Sequence, residues 1–451
     1  MELPETEKFA LKAASRSGAA SIVAAVFGEE GERWGFATGF RDLASGAPAT
    51  LDTLYCVGSV TKSFTALAVL LASRDGLIGL DDPVSEYAPV RLEAMGEPVK
   101  VKHLLTHTSG IPAMSYAEAL IRGVTGTGSS WAPIADCDDL YAWLRGAADW
   151  AEARPGERFW YLNEGYFLLG CILERVTGES YARYLRRRVL RPLDMKRSFL
   201  EREEIVGDGN YSKAYVTGGG APRETRFPWG IYADGGLWSS VRDLGRYLRA
   251  AMGAPGVPGA IAEALREAGE PRVSVPGRSF GDDRYGYGWL VTDRFHGRRL
   301  VHHAGSVGVH TAWVGYLPGE RVAAAVLAGG EAPTVSVGLH ALSEALGLDY
   351  WNLPFARWER RTEELSGTYR SYMGLTDAVV EPGGAGGALR LSYGPRESRR
   401  SVTLLPLRDE GESVYYYTWG RGGRLDVEFR IRSDATVLLY ERYKFVKSRP
   451  A

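Results

Sequence analysis

The chain has 451 residues, enough for two domains with one of them large. Hydrophobic residues make up 45% and charged residues 24% of it, both near the globular average, and no stretch approaches the roughly 18 consecutive apolar residues of a membrane helix. A formal net charge of −1 gives no basic field for nucleic acid or anionic lipid, so neither is expected as a partner.

Taken in chain order, the start MELPETEKFALKAASRSG is acidic and lacks the basic stretch and apolar core of a secretory signal, which points to a cytoplasmic location. Residues 20 to 60 read as strands: SIVAAVF, RWGFATGF and TLYCVGSV, separated by glycine and polar breaks. A helix of nearly continuous apolar surface follows over 60 to 74 and stops at Asp75-Gly76. Further helices are predicted at 114–123, 138–150, 164–176, 179–189, 240–252 and 258–267. Strand patterns return in YGYGWLVTD, RLVHHAG, HTAWVGYLP and VAAAVLAGG, so strands bracket a helical middle and an α+β fold is expected, its sheet built from both ends of the segment. Beyond about residue 355, ALRLSYG, SVTLLPL, ESVYYYTWG, LDVEFRIR and TVLLYERYKFV are short, β-branched or aromatic. In the fourth of these, Leu425, Val427, Phe429 and Ile431 alternate with Asp426, Glu428, Arg430 and Arg432, the period of a small antiparallel sheet or barrel. The expected domains are 1–355 and 356–451, joined through RWERRTEELSG at 357–367, and GPRESRR at 394–400 reads as a solvated turn. Cys56, Cys137 and Cys171 stand at unrelated spacings, which fits reduced buried thiols better than a disulfide framework or a zinc site.

Chemistry first shows at Ser59-Val60-Thr61-Lys62. Nine lysines against 45 arginines mean that this chain seldom uses lysine for charge, yet it keeps one at the head of an apolar helix. The spacing of three puts the Lys62 ammonium and the Ser59 hydroxyl on one face of the first turn. A desolvated lysine can help take the serine proton, which arginine cannot, and a helix N-terminus supplies N–H groups for an oxyanion. The plainer alternative is a capping serine beside a solvated lysine. Tyr161-Leu162-Asn163 precedes a second helix. A tyrosine beside Lys62 could serve as general base and acid, and the amide of Asn163, one of three asparagines, could grip a substrate carbonyl. His303-Ala304-Gly305 follows a strand pattern whose small residues would let a substrate backbone lie along the edge. His302, His303 and His310 share no acidic or cysteine ligand, so no metal is expected. No Gly-x-Ser-x-Gly elbow and no phosphate loop is present, and no cofactor is implied.

Together, in this order and spacing, these three motifs resemble the penicillin-recognising serine hydrolases, specifically the class C β-lactamase-like branch. HLLTHTSGIP at 103–112, DGGLWSSVRDLGRYL at 234–248 and YGYGW at 285–289 fit the same branch, over about residues 10 to 345. The resemblance implies a β-lactamase/transpeptidase-like domain, an antiparallel sheet flanked by a helical region. It implies Ser59 as the nucleophile that forms an acyl-enzyme, Lys62 as its proton partner and Tyr161 as general base and acid. Asn163, His303 and Gly305 would contact substrate, and the N–H groups of Ser59 and Ser306 would form the oxyanion hole. His107, in the loop Thr106-His107-Thr108-Ser109-Gly110, would be structural. His303 stands where β-lactamases and penicillin-binding proteins usually carry lysine, which puts carboxylate-bearing β-lactams and peptidoglycan stems in doubt; relatives with a His-x-Gly motif include D-aminopeptidases. The trailing β domain resembles the lipocalin-like barrel of some archaeal and bacterial members, among them a compartmentalised serine peptidase, which implies a homo-oligomer. The expected function is therefore a serine peptidase acting on small peptides or amides, D-amino-acid peptides included. Two alternatives remain: a carboxylesterase of the same family acting on a small ester, and a non-catalytic ligand-binding or sensor protein.

Overall fold

SIVAAVF and VAAAVLAG show none of the polar alternation of a one-sided strand, because both are covered on their two faces. Strand Ser21–Phe27 and strand Val322–Gly329 are buried at every position and pair antiparallel, from Ser21 opposite Gly329 to Phe27 opposite Ala323. The computed structural model describes residues 1–132, 134–217, 221–277, 279–394, 399–420 and 422–448, and the chain divides into two units, Met1–Leu348 and Asp349–Ala451. In the first unit the nine-stranded sheet runs, in spatial order, 273–274, 284–285, 290–295, 298–306, 310–317, 322–329, 21–27, 32–42 and 47–48. The N-terminal strands thus continue an antiparallel sheet made by the C-terminal ones, as the bracketing pattern predicts. Helix Val241–Ala251 packs on strands 21–27 and 322–329, and helices Pro4–Ser17 and Thr334–Ala345 pack on each other and on the sheet. Helix Thr61–Arg74 is buried from Thr61 through Ala72, which explains why it is apolar on all sides.

Three expectations change. TLYCVGSV is a strand only at Tyr55–Cys56; Gly58–Val60 winds into a 3₁₀ turn, since Gly58 has φ +53°, a backbone conformation a β-strand cannot hold. The segment 357–367, expected as a connector, lies mostly within helix Pro354–Leu365 of the second unit, whose Trp358 and Leu365 pack into that unit's core. Cys137 and Cys171 are not free thiols but a disulfide with Cα atoms 5.7 Å apart. Cys137 opens helix Cys137–Leu144 and Cys171 is buried within helix Asn163–Thr177, and the packing of those two helices brings together sulfurs that sequence spacing leaves unrelated. Cys56 remains a buried thiol whose Sγ donates to the Gly235 carbonyl, and burial pushes it up to about 12.

The second unit is a closed eight-stranded antiparallel barrel running from Gly367–Arg370 to Tyr443–Ser448, closed by pairing of the first and last strands at Arg370 and Val446. TVLLYERYKFV is two strands, 435–440 and 443–448, turned at Glu441 with φ +49°. The inward positions Tyr369, Leu391, Leu404, Tyr416, Phe429 and Phe445 fill the interior, as expected for eight strands. Within Gly423–Ile431, Val427 and Phe429 face in and Asp426 and Arg430 face water. The turn expected at 394–400 falls largely on 395–398, outside the described residues. No helix among the described residues is long and apolar enough to cross a membrane.

The disulfide closes a loop across 34 residues, a constraint on the unfolded chain worth on the order of 3–4 kcal/mol. Reductant should therefore lower the urea midpoint of the native protein and leave a Cys137→Ser variant, already weakened, unmoved. Equal midpoints with and without reductant would show that the bond contributes nothing.

Candidate active site

A fully buried ammonium must be surrounded by oxygen, and Lys62 is 0% exposed. Its Nζ donates to Ser59 Oγ at 3.1 Å, to Asn163 Oδ1 at 2.8 Å and to the Asp234 carbonyl at 2.6 Å, one acceptor for each N–H of the ammonium. Those acceptors come from three separate elements: the 3₁₀ turn at Gly58–Val60, the first residue of helix Asn163–Thr177, and the loop before strand Trp238–Ser239. Because Asn163 presents Oδ1 to a donor, its NH₂ is the end left for the cavity.

Lys62 Nζ also lies 4.8 Å from the ring centre of Tyr161 and 5.6 Å from that of Tyr166. The Tyr161 hydroxyl is buried without a hydrogen-bond partner among the described residues. His107 fixes this tyrosine. Its carbonyl accepts the Trp160 N–H at 2.8 Å, its Nδ1 accepts the Leu162 N–H at 3.0 Å, and its ring lies against that of Tyr161, tilted by 33° with 4.2 Å between centres. His107 therefore does structural work, holding both sides of the residue that faces Lys62.

The third wall is the end of strand Arg298–Ser306. On one side residues 303 to 306 pair with 314 to 311, while on the other the neighbouring strand ends its pairing at Leu290 opposite His302. That leaves the edge from His303 to Ser306 open toward the cavity. The edge meets the Ser59 turn closely: a Cβ on Gly305 would lie 2.0 Å from the Val57 carbonyl, and one on Gly58 would lie 2.7 Å from the Ser306 nitrogen. Only glycine permits that approach, and because the Cβ on Gly305 would also lie 2.9 Å from the Ser59 nitrogen, the nitrogens of Ser59 and Ser306 both border this junction. Ser306 Oγ donates to Glu331 Oε1 at 2.6 Å. His303 is 3% exposed, with Nδ1 2.6 Å from the Ala304 carbonyl and Nε2 3.0 Å from the Tyr285 hydroxyl. Nδ1 donates to the carbonyl, and Nε2 shares its hydrogen bond with the phenol.

Ser59, Tyr161, Asn163, His303, Gly305 and Ser306 thus line a single cavity of about 500 Å³, with Lys62 behind them. The other histidines of that region go elsewhere. His310 Nδ1 accepts the Cys56 N–H and its Nε2 faces the Lys213 carbonyl, and burial lowers it to about 4; His302 Nδ1 accepts from Trp313 Nε1.

Four residues of the site had no role assigned from sequence: Asp234, Tyr285, Glu118 and Glu164. Asp234 and Tyr285 lie in the stretches DGGLWSS and YGYGW, so the motif signal was present without a geometric reason. Glu164 follows Asn163, is 1% exposed, and accepts the Tyr116 N–H at 3.1 Å through Oε1, while Oε2 has no partner among the described residues. Burial pushes its carboxyl up to about 7, opposed by its own N–H and that of Tyr116 and reinforced by Glu118 and Asp234.

The chain belongs to the Beta-lactamase family, whose model matches residues 9–348. Residues 350–446 match the Pab87 octamerisation domain. Among solved structures, the octameric penicillin-binding protein homologue from Pyrococcus abyssi aligns at a TM-score of 0.94 with 35% identity, over 99% of this chain and 100% of that one. A D-stereospecific amidohydrolase from Streptomyces sp. aligns at 0.61 with 25% identity, over 75% of this chain and 98% of that one. Protein flp of Staphylococcus aureus is 25% identical over 295 residues, 64% of this chain, and the match spans only 55% of that protein.

An unfolded chain ionises a carboxyl like Glu164 near 4.5. Between that value and about 7 the folded state holds the extra proton, so stability falls as pH rises through this window and the full cost stands above it. Glu164→Gln should gain on the native protein between about pH 5 and pH 8, by at most ~3 kcal/mol at 1.36 kcal/mol per pH unit. Urea midpoints across that range check it; a difference that does not change with pH would exclude it.

Proposed function

We propose that this protein is a serine hydrolase that forms an acyl-enzyme at Ser59 and cleaves peptide or amide bonds, those of D-configured residues included. The observation that carries this reading is the placement of the buried Lys62 ammonium on Ser59 Oγ and Asn163 Oδ1 together, at the floor of an open cavity. Ser59 Oγ attacks the carbonyl carbon, and its proton passes to the Tyr161 oxygen, the general base that faces Lys62. The oxyanion is received by the N–H groups of Ser59 and Ser306, and the Asn163 NH₂ holds the substrate amide. As the tetrahedral intermediate collapses, Tyr161 returns the proton to the leaving nitrogen. Water then attacks the ester with Tyr161 as base, and Ser59 recovers its proton. The solved D-stereospecific amidohydrolase supports the choice of an amide. His303 stands where β-lactamases and penicillin-binding proteins usually carry a lysine for the substrate carboxylate, which disfavours β-lactams.

Assembly into a homo-oligomer through the barrel unit is part of the same proposal. It is supported by the octamerisation-domain match and by Tyr372, Met373 and Leu375, each more than 80% exposed on that unit. The side-chain-filled barrel interior leaves no comparable support for a sensor whose ligand sits in the barrel.

The test is release of nitroaniline from matched D- and L-aminoacyl nitroanilides beside a nitrophenyl ester. Ser59→Ala should abolish all three, and Tyr161→Phe should lower kcat by about 10²–10⁴-fold; an unchanged Ser59→Ala rate would sink the mechanism, and ester cleavage alone would make the protein an esterase. Light scattering of the full chain should give a multiple of the 49.3 kDa protomer mass. Met373→Lys with Leu375→Lys should lower it, and a monomeric native protein would refute the assembly.

A further inference from the structure

Ser59 and Asn163 reach Lys62 from helical segments, but its third acceptor, the Asp234 carbonyl, belongs to a loop. A loop carbonyl keeps one direction only where neighbouring groups fix its peptide. Here they do. Asp234 Oδ1 accepts the Tyr232 N–H at 3.1 Å, and the Tyr232 carbonyl accepts the N–H groups of Gly235 at 3.1 Å and Gly236 at 2.6 Å, so residues 232–236 make a closed turn. Thr65 stands three residues beyond Lys62 on the same helix face, and its Oγ1 lies 2.6 Å from the Ala233 carbonyl. Lys62 and Thr65 thus take two successive carbonyls of the turn. Both carbonyls within reach of Thr65 Oγ1, Ala233 at 2.6 Å and Thr61 at 3.3 Å, can only accept; the Tyr181 hydroxyl, 2.7 Å away, therefore donates to Thr65. The Tyr181 N–H donates to Glu174 Oε1 at 2.8 Å, and the same oxygen accepts the Tyr232 hydroxyl at 2.5 Å. These bonds form a ring that runs from helix Thr61–Arg74 through Tyr181, Glu174 and Tyr232 back to that helix. Thr65 and Tyr181 are fully buried. Glu174 belongs to the helix that Asn163 begins, and a Cβ on Gly170 of that helix would lie 2.5 Å from the Ala233 Cβ and 2.8 Å from the Tyr232 ring. The turn is wedged between the two helices that carry Lys62 and its acceptor Asn163.

We propose that Thr65 and Tyr232 are positioning residues of the Ser59 site, which hold residues 232–234 against two helices so that the Asp234 carbonyl stays on the Lys62 ammonium. This rests on the serine-hydrolase reading for its effect on rate, though not for its geometry. Neither residue is among the described residues that line the cavity. Without the Thr65 hydroxyl, the Ala233 carbonyl and the Tyr181 hydroxyl lose a buried partner, and the turn gains by rotating its peptides toward other donors. The ammonium then loses one of its three oxygens, and with it the orientation that places it on Ser59 Oγ and Asn163 Oδ1. Such a loss falls on the chemical step rather than on binding, because Asn163, His303 and Gly305 stay in place.

The experiment measures nitroanilide and nitrophenyl ester turnover by the native protein, Thr65→Ser, Thr65→Val and Tyr232→Phe, and determines the crystal structure of each. Rates are taken per active serine, counted with a serine-reactive nitrophenyl phosphonate, so that a misfolded fraction does not pass for a slow enzyme. Thr65→Val, similar in shape but without the hydroxyl, should lower kcat by about ten- to a hundredfold with KM nearly unchanged. Thr65→Ser keeps the hydroxyl and should stay within about threefold of the native kcat. Tyr232→Phe removes one hydroxyl at the Glu174 end and should lower kcat by about three- to tenfold; it decides the matter if Thr65→Val does not fold. The two changes together should cost less than the product of their separate effects, since both act on one turn. A native kcat in either variant, or an equal loss in Thr65→Ser and Thr65→Val, overturns the proposal while leaving the hydrolase reading intact. If Ser59→Ala turns over as the native protein does, or the native protein cleaves neither substrate, the hydrolase reading fails instead and the crystal structures decide. Lys62 Nζ moved beyond about 3.5 Å from the Asp234 carbonyl in Thr65→Val and Tyr232→Phe, but not in Thr65→Ser, upholds the positioning role; an unmoved contact ends it.

Discussion

One buried positive charge organises this molecule. An ammonium taken fully out of water is tolerable only when each of its protons finds an oxygen, and Lys62 finds three on segments that are far apart in sequence. Ser59 is three residues away, but Asn163 and Asp234 are 101 and 172 residues away. Helix Thr61–Arg74 is buried from Thr61 through Ala72 and carries no other charge over that span, and its lysine sits at the end beside Ser59, which lines the cavity. Any other packing of the three segments would leave that charge uncompensated, which ties the correct assembly of the helical middle to the correct assembly of the site.

The sheet supplies the second constraint. Its open edge from His303 to Ser306 comes close to the Ser59 turn, and glycine at 58 and 305 is what allows it. His107 plays the matching part on the opposite wall. By bonding the backbone on both sides of Tyr161, it orients a phenol whose hydroxyl has no protein partner of its own. Loop backbone, strand edge and helix end each contribute one rigid surface, and the chemistry lies where they meet.

Much of this was readable beforehand. The alternation from Leu425 to Arg432 announced a strand with one wet face, and SIVAAVF and VAAAVLAGG announced strands, though that both of their faces are covered was visible only in the packed sheet. The motifs at Ser59, Tyr161 and His303 were separable from background because a lysine at the head of an apolar helix in an arginine-rich chain and a rare asparagine are unusual choices. The residues that escaped had no such mark. Glu118 is an ordinary exposed glutamate on a helix until the cavity beside it is known, and Glu164 looks like a first-turn acidic residue until its burial is seen. Cys137 and Cys171 were read as unrelated because a separation of 34 residues carries no information about two Cα atoms 5.7 Å apart.

What the sequence by itself determined was local: periodicity dictates which segments are strand or helix and which face each buries, and residue chemistry dictates which side chains can give or take a proton. Tertiary structure alone decided what those side chains meet. It set the three oxygens around Lys62, the neutral partners of His303, the carboxylate at the cavity wall and the disulfide between two helices, because distance in space, burial and local dielectric arise only when segments far apart in the chain pack together.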